Sequence, residues 1–226
     1  MPDLNVTSPR RRFRLIVFDW DGTLSDSTAL IASSIQAACR DIGAVVPDES
    51  AARHVIGLGL AEALNHVAPS VPPSRHPELA ARYRDHFLAQ DAEIPLFGGA
   101  REMLAELDAR GFLLAIATGK SRNGLARALA QQGIGDFFVA TRCADEGLAK
   151  PHPEMLLHLM ERTGVVAGET LMIGDTTHDL DLARNAGVLA LAVTYGAHPS
   201  AGLARLQPLA MLESVPALRL WLRANA

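Results

Sequence analysis

Three short apolar runs in this chain each stop on polar residues, and that pattern limits the folds open to it. Leu15-Ile16-Val17-Phe18 runs into Asp19 and Asp21, Leu113-Leu114-Ala115-Ile116-Ala117 into Thr118-Gly119, and Leu171-Met172-Ile173 into Gly174-Asp175. Runs this short, apolar at every position, read as strands buried on both faces. Phe137-Phe138-Val139-Ala140 and Leu189-Ala190-Leu191-Ala192-Val193 are weaker candidates of the same kind. Between them lie stretches with apolar residues at helical spacing, such as Ala100, Met103, Leu104 and Leu107, or Met155, Leu156, Leu159 and Met160. Strand and helix in alternation predict right-handed crossovers and an α/β fold with a parallel sheet covered on both faces. In such sheets functional groups collect at the carboxyl ends of the strands.

The stretch 26–94 breaks the alternation and reads as almost entirely helical. Ile31, Ile35, Ala38 and Ile42 repeat on one face, as do Leu60, Ala63, Leu64 and Val67, then Leu79, Tyr83, Phe87 and Gln90. Pro47, Pro69, Pro72, Pro73 and Pro77 punctuate these helices. A helical unit inserted after the first strand would hang over its carboxylates as a cap, with Ser25-Asp26 and Ile94-Pro95 as hinge regions. The expected organisation is a flexible tail at 1–13, a core formed by 14–25 and 95–226, and an all-α cap at 26–94. Leu218, Trp221 and Leu222 mark a last helix docking on the core.

A net charge of −4 offers no electrostatic reason to expect nucleic acid or an anionic membrane as partner. The one basic run, Arg10-Arg11-Arg12 with Arg14, follows a start containing Pro and Ser and reads as a solvated tail. No apolar stretch reaches membrane-spanning length, and the first residues lack the apolar core of a secretory signal. Only two cysteines occur, Cys39 and Cys143, which fits a reducing compartment; a cytoplasmic protein is expected. Of 21 basic residues only Lys120 and Lys150 are lysines. That bias makes both worth locating, since lysine and arginine are chemically different cations.

Four segments carry candidate chemistry. In Asp19-Trp20-Asp21-Gly22-Thr23 two carboxylates at a strand mouth repel each other unless a cation or proton separates them. That pair can serve a metal, a nucleophile or a proton donor, and an isolated Asp-x-Asp-Gly can equally be a polar turn. Thr118-Gly119-Lys120-Ser121 passes from strand to helix, where unpaired backbone N–H groups form an anion cradle; a simple helix cap would use the same residues. Lys150-Pro151-His152-Pro153-Glu154 sets a lysine in a proline-rich turn. In Gly174-Asp175-Thr176-Thr177-His178-Asp179 the two aspartates stand about one helical turn apart, as metal ligands or as an N-cap with a first-turn carboxylate. Together, carboxylate pairs at strand ends suit a hard divalent cation such as Mg²⁺, and a hydroxyl, helix amides and a lysine suit a phosphoryl group.

The order Asp-x-Asp-Gly-Thr, a strand-end Thr, Lys-Pro-x-Pro and Gly-Asp-x-x-x-Asp resembles the haloacid dehalogenase superfamily, and within it the phosphoglycolate phosphatase-like hydrolases with an inserted helical cap. The resemblance runs from about Arg14 onward. It implies a Rossmann-like core and Mg²⁺-dependent hydrolysis of a small phosphorylated metabolite. It also implies roles: Asp19 as the nucleophile that forms an aspartyl-phosphate, Asp21 as acid and base, and Thr118, Gly119, Lys150 and Gly22 around the phosphoryl group. Asp19, Asp175 and the backbone carbonyl of Asp21 would hold the metal, supported by Asp179. Trp20 is bulkier than the usual aliphatic residue, and Gly119 replaces a frequent Asn. In the cap, Gly57, Gly59 and Arg53 are candidate substrate contacts, although helix termination explains the glycines as well.

The presence of Asp21 argues against a dehalogenase, and the absence of any lysine between Asp26 and Ile94 against Schiff-base phosphonate cleavage. A sugar phosphomutase or a pyrophosphatase on the same core remains open, as does a non-catalytic phosphate-binding regulatory module. A monomer or homodimer is expected.

Overall fold

The computed structural model describes residues 12–226; Arg10 and Arg11 of the basic run lie outside the described residues. One sheet contains β1 (Leu15–Phe18), β2 (Leu113–Thr118), β3 (Phe138–Cys143), β4 (Thr170–Gly174), β5 (Leu189–Val193) and β6 (Met211–Leu212). All neighbours run parallel, in the order β3-β2-β1-β4-β5-β6. This is the Rossmann-like α/β arrangement, with the apolar run 15–18 as a fully buried central strand. The two-residue β6 is too short to show any periodicity in the sequence.

Helices α1 (Thr28–Asp41), α2 (Glu49–His54), α3 (Leu60–Val67) and α4 (His76–Leu88) follow β1 directly. The rest are α5 (Ala100–Ala109), α6 (Arg122–Gln132), α7 (Glu154–Thr163), α8 (Thr177–Asn185), α9 (Ser200–Ala204) and α10 (Val215–Asn225). Alternation along β1 divides the core. Ile16 and Phe18 pack with Met103 and Leu104 of α5, Leu125 of α6, and Leu218 and Leu222 of α10. Leu15 and Val17 face the other way, toward Met155, Leu156 and Leu159 of α7 and Leu182 and Ala183 of α8. Phe13 requires a correction: placed with the tail by sequence, it is 0% exposed and joins the first of these clusters. An aromatic ring next to β1 gains more by burial than by solvation. Arg14 pairs with Glu169 at 3.2 Å.

The chain leaves the core and returns to it through two segments held together by backbone. Asp26 N–H donates to Pro95 O (3.0 Å), Phe97 N–H donates to Leu24 O (2.9 Å), and Ser25 bridges Leu96. Between them α1–α4 bury their own apolar residues, including Ile31, Ile35, Val55, Ile56 and Phe87 in one cluster and Cys39, Ile42, Leu64 and Leu79 in another. Ala197, from the loop after β5, joins the first of these, so the helical insert packs down onto the sheet edge. Among the described residues no helix is long and apolar enough to cross a membrane.

Candidate active site

The sheet order reverses beside β1, which pairs with β2 on one side and β4 on the other. At such a switch point the loops leaving adjacent strands diverge and open a crevice at their carboxyl ends. Asp19 follows β1, Asp175 follows β4 and Thr118 closes β2, so the sheet order brings the three polar run-ends together.

At the centre stands Lys150, with a side chain 0% exposed. Its Nζ donates to Asp19 Oδ1 (2.6 Å) and to Asp179 Oδ1 (2.7 Å). Asp19, Asp175 and Asp179 each place a carboxylate oxygen within 4.8 Å of the others. Burial alone would lower the Lys150 pKa, but Asp179 and Asp19 outweigh it and hold the ammonium charged well above its usual range. The acids respond in the opposite sense. Burial pushes the Asp19 carboxyl well up, against the pull of Lys150, with Asp179 and Asp175 adding to the rise. Burial, then Asp179, pushes Asp175 up to about 7. Three carboxylates share one ammonium, and Asp19 Oδ2 is buried without a hydrogen-bond partner. An all-oxygen donor set with excess negative charge fits a hard divalent cation.

Asp179 takes part in the helix cap that the sequence offered as one of its readings. Thr176 is the N-cap of α8 and Asp179 its reciprocal partner: Thr176 N–H and Oγ1 donate to Asp179 Oδ2 (3.0 and 2.7 Å). The other oxygen of the same carboxylate takes the lysine, so one side chain both caps the helix and joins the cluster. Asp175 is pinned by Thr23 Oγ1 (2.7 Å) and Ala197 N–H (2.7 Å). Gly22, at φ +87°, lies so close to Asp175 that a Cβ there would strike its carboxylate. Gly22 N–H is committed to Ser25 O (2.9 Å) within the turn.

Asp21 stands outside the cluster of three carboxylates. Ser27 Oγ (2.6 Å) and Lys120 Nζ (2.9 Å) both donate to its Oδ1. The carboxylates that gather within 4.8 Å of one another are those of Asp19, Asp175 and Asp179. Thr118 is fully buried, and its Oγ1 accepts from Lys120 N–H (3.1 Å), leaving the hydroxyl proton free to donate. Ser121 caps α6 through Gly124 N–H (3.2 Å).

The insert reaches this edge through its α2–α3 loop. Gly57, at φ +97°, lies against Thr176, and Gly59 is the N-cap of α3. A Cβ on Gly119 would stand 2.5 Å from Leu58 O and 2.6 Å from Gly57 O. This close backbone approach gives a physical reason for glycine where Asn is frequent. Gly119→Ala should push the loop outward; with overpacking costing about 1–3 kcal/mol, Tm falls by roughly 2–12 °C and kcat/KM falls about tenfold. Steady-state kinetics beside a thermal melt checks this, and an unchanged kcat/KM would contradict the contact. Arg53 bonds Glu49 (2.9 Å) and Thr28 Oγ1 (3.1 Å), whose methyl group neighbours Gly22. His178 and His198 both hold the His54 carbonyl, each Nε2 at 2.9 Å. Burial lowers the pKa of both histidines, that of His198 down to about 4. His178, adjacent to Asp179, thus ties the insert to the core. Ser27 and the Ala197 amide were not singled out from sequence; Thr23 and Thr176 lay in the candidate segments without a role of their own, and Lys120 was marked as one of two lysines.

The sequence profile of the haloacid dehalogenase-like hydrolases matches residues 16–193. A probable phosphatase, IndB, of Dickeya dadantii is 35% identical over 206 residues, covering 88% of this chain and 89% of the relative. A phosphoglycolate phosphatase of Vibrio cholerae is 33% identical over 208 residues, covering 88% and 92%. A crystal structure described as a predicted phosphatase from Clostridium acetobutylicum superposes with a TM-score of 0.83 over 94% of this chain and 99% of that one; at 24% identity it supports the fold alone. The chain belongs to the haloacid dehalogenase-like hydrolases. Within that family it is an enzyme of the phosphatase class.

Proposed function

We propose that this phosphatase hydrolyses a small phosphorylated metabolite in two steps, through an aspartyl-phosphate on Asp19. The observation that carries this is the buried Asp19 carboxylate, held by Lys150 through one oxygen and left without a partner on the other. In the first step Asp19 Oδ2 attacks phosphorus and the ester oxygen departs, taking a proton from Asp21. In the second, water attacks the phosphoryl group, Asp21 removes its proton, and the bond to Asp19 breaks. Lys150 spends two of its three N–H bonds on Asp19 and Asp179, so the third can meet a phosphoryl oxygen. The Thr118 hydroxyl can donate to another. Asp19, Asp175 and Asp179 would hold Mg²⁺, which when bound offsets the charge of nucleophile and phosphate. Little else is needed, since phosphoryl transfer depends mainly on positioning and charge compensation.

The insert at 26–94 then serves as a cap, the core being 14–25 with 95–226, and Arg53, Gly57 and Gly59 line its substrate side. The Vibrio cholerae relative, a phosphoglycolate phosphatase, makes a small carboxylated ester the first substrate to try. Phosphate release should be measured over phosphoglycolate, pyrophosphate, sugar phosphates and nucleotides, with and without Mg²⁺. Release from a small ester only with metal is expected. Silence across that panel would overturn the proposal, and an isomerised sugar phosphate would replace it with a mutase.

Metal binding should also appear in stability. At about 100 times its Kd, Mg²⁺ adds about 2.7 kcal/mol, or roughly 5–10 °C in Tm for a chain this long. The sign with pH follows from Asp175. Its folded pKa, up to about 7 from an ordinary 3.8, means that the metal-free fold binds more protons than the unfolded chain in that window. Metal-free stability from this group is therefore present at low pH and lost as pH rises toward 7. Mg²⁺ must displace that proton, so the Tm increase grows from pH 5 to pH 7.5. A metal-independent melt, or an increase that shrinks with pH, would contradict the site.

A further inference from the structure

We propose that Lys120 is a positioning residue that holds the Asp21 carboxylate in its working orientation while the helical insert lies against the core. Both hydrogen bonds to that carboxylate end on Oδ1, one from Lys120 at 2.9 Å and one from Ser27 at 2.6 Å. Oδ2 carries none, which makes it the oxygen free to exchange a proton with the leaving group. The anchor is well shielded: the Lys120 and Asp21 side chains are 12% and 10% exposed, so water competes little for it.

The same ammonium lies 4.7 Å from the ring centroid of Phe87, on α4 of the insert. Lys120 thus sits between a core carboxylate and an insert aromatic face, an attraction that strengthens as water is excluded. Ser27, the second anchor, is the N-cap residue of α1, at the start of the insert. Both donors to Asp21 Oδ1 therefore depend on where the insert lies, and lifting it removes the aromatic face from Lys120. A lysine suits the task because its compact ammonium can serve a carboxylate oxygen and a ring face together, whereas the planar guanidinium of arginine favours a two-oxygen fork. Nothing else in the buried cluster occupies Lys120; Lys150 serves Asp19 and Asp179 by itself.

The inference rests on Asp21 as the proton donor, and the test separates the two. Hydrolysis of phenyl phosphate needs a proton on its departing oxygen far more than hydrolysis of p-nitrophenyl phosphate does. Release of phenol or p-nitrophenol in the first turnover, which reports departure of the ester oxygen before Asp21 acts as base on water, should be followed with Mg²⁺ for the native protein, Lys120→Met, Lys120→Arg, Phe87→Leu and Asp21→Asn, with KM and a thermal melt of each. A positioned acid contributes about 10²–10⁴-fold, so Lys120→Met should lose roughly 10- to 100-fold in the first-turnover rate on phenyl phosphate, with KM nearly unchanged and a much smaller loss on p-nitrophenyl phosphate. Phe87→Leu should show the same selectivity more weakly, and Lys120→Arg should recover part of the loss. If Asp21→Asn is selective but Lys120→Met lowers both substrates equally or only raises KM, the positioning role of Lys120 is wrong and Asp21 stands. If Asp21→Asn lowers both alike, the acid role of Asp21 fails and the Lys120 inference falls with it.

Discussion

Asp19→Asn is expected to abolish phosphate release, by at least about 10⁴-fold, while leaving the fold intact. The asparagine keeps the shape of the side chain but lacks the anionic oxygen that would attack phosphorus. It also removes one negative charge from the cluster of three carboxylates, so Mg²⁺ should raise Tm less in this variant than in the native protein. Stability without metal should move the other way. Asp19 is buried, and Asp179 and Asp175 both disfavour its charge, whereas Lys150 retains Asp179 as a partner after the substitution. The variant should therefore melt at or slightly above the native temperature in the absence of metal. Loss of activity with a retained melt separates a chemical role from a structural one, and undiminished turnover would sink the covalent mechanism.

The second large effect concerns stability. Lys150→Met leaves the Asp19 and Asp179 carboxylates facing each other without their shared cation in a site closed to water. Breaking a buried ion pair by removing one partner costs about 3–5 kcal/mol, which for a chain of this length lowers Tm by roughly 6–20 °C. Methionine replaces much of the stem volume, so the loss is electrostatic and not a packing void. Two consequences distinguish this from general damage. Lowering the pH should narrow the gap, because protonating a carboxylate removes the unpaired charge. Mg²⁺ should narrow it too, by supplying positive charge to the same oxygens. A metal-free melt within a degree or two of native at neutral pH would mean that Lys150 does not neutralise the pair.

Elsewhere local signals and folded contacts agreed to different degrees. The strand-end aspartates and Lys150 were legible because each sits in a short segment whose apolar run or turn chemistry marks it. Asp179 was legible only as an alternative between helix cap and ligand; in the structure one oxygen caps α8 and the other accepts from Lys150. Gly119 was legible as a departure from a common pattern, but its reason is the approach of two carbonyls from a distant loop. The placement of Phe13 with the tail missed its burial because one aromatic residue has no period to read.

By itself the sequence determined the alternation of strands and helices, the helical insert after β1, and which residues stand at strand ends. These are local properties: periods of two and 3.6 residues and turn chemistry repeat over a few positions and need no partner. Only the tertiary structure decided which of those residues meet. Lys150 finds Asp19 across 131 residues and Asp179 across 29, and Lys120 finds Asp21 across 99. Those meetings depend on β1 lying between β2 and β4 and on an insert folded back over the sheet edge, where burial makes each ion pair matter.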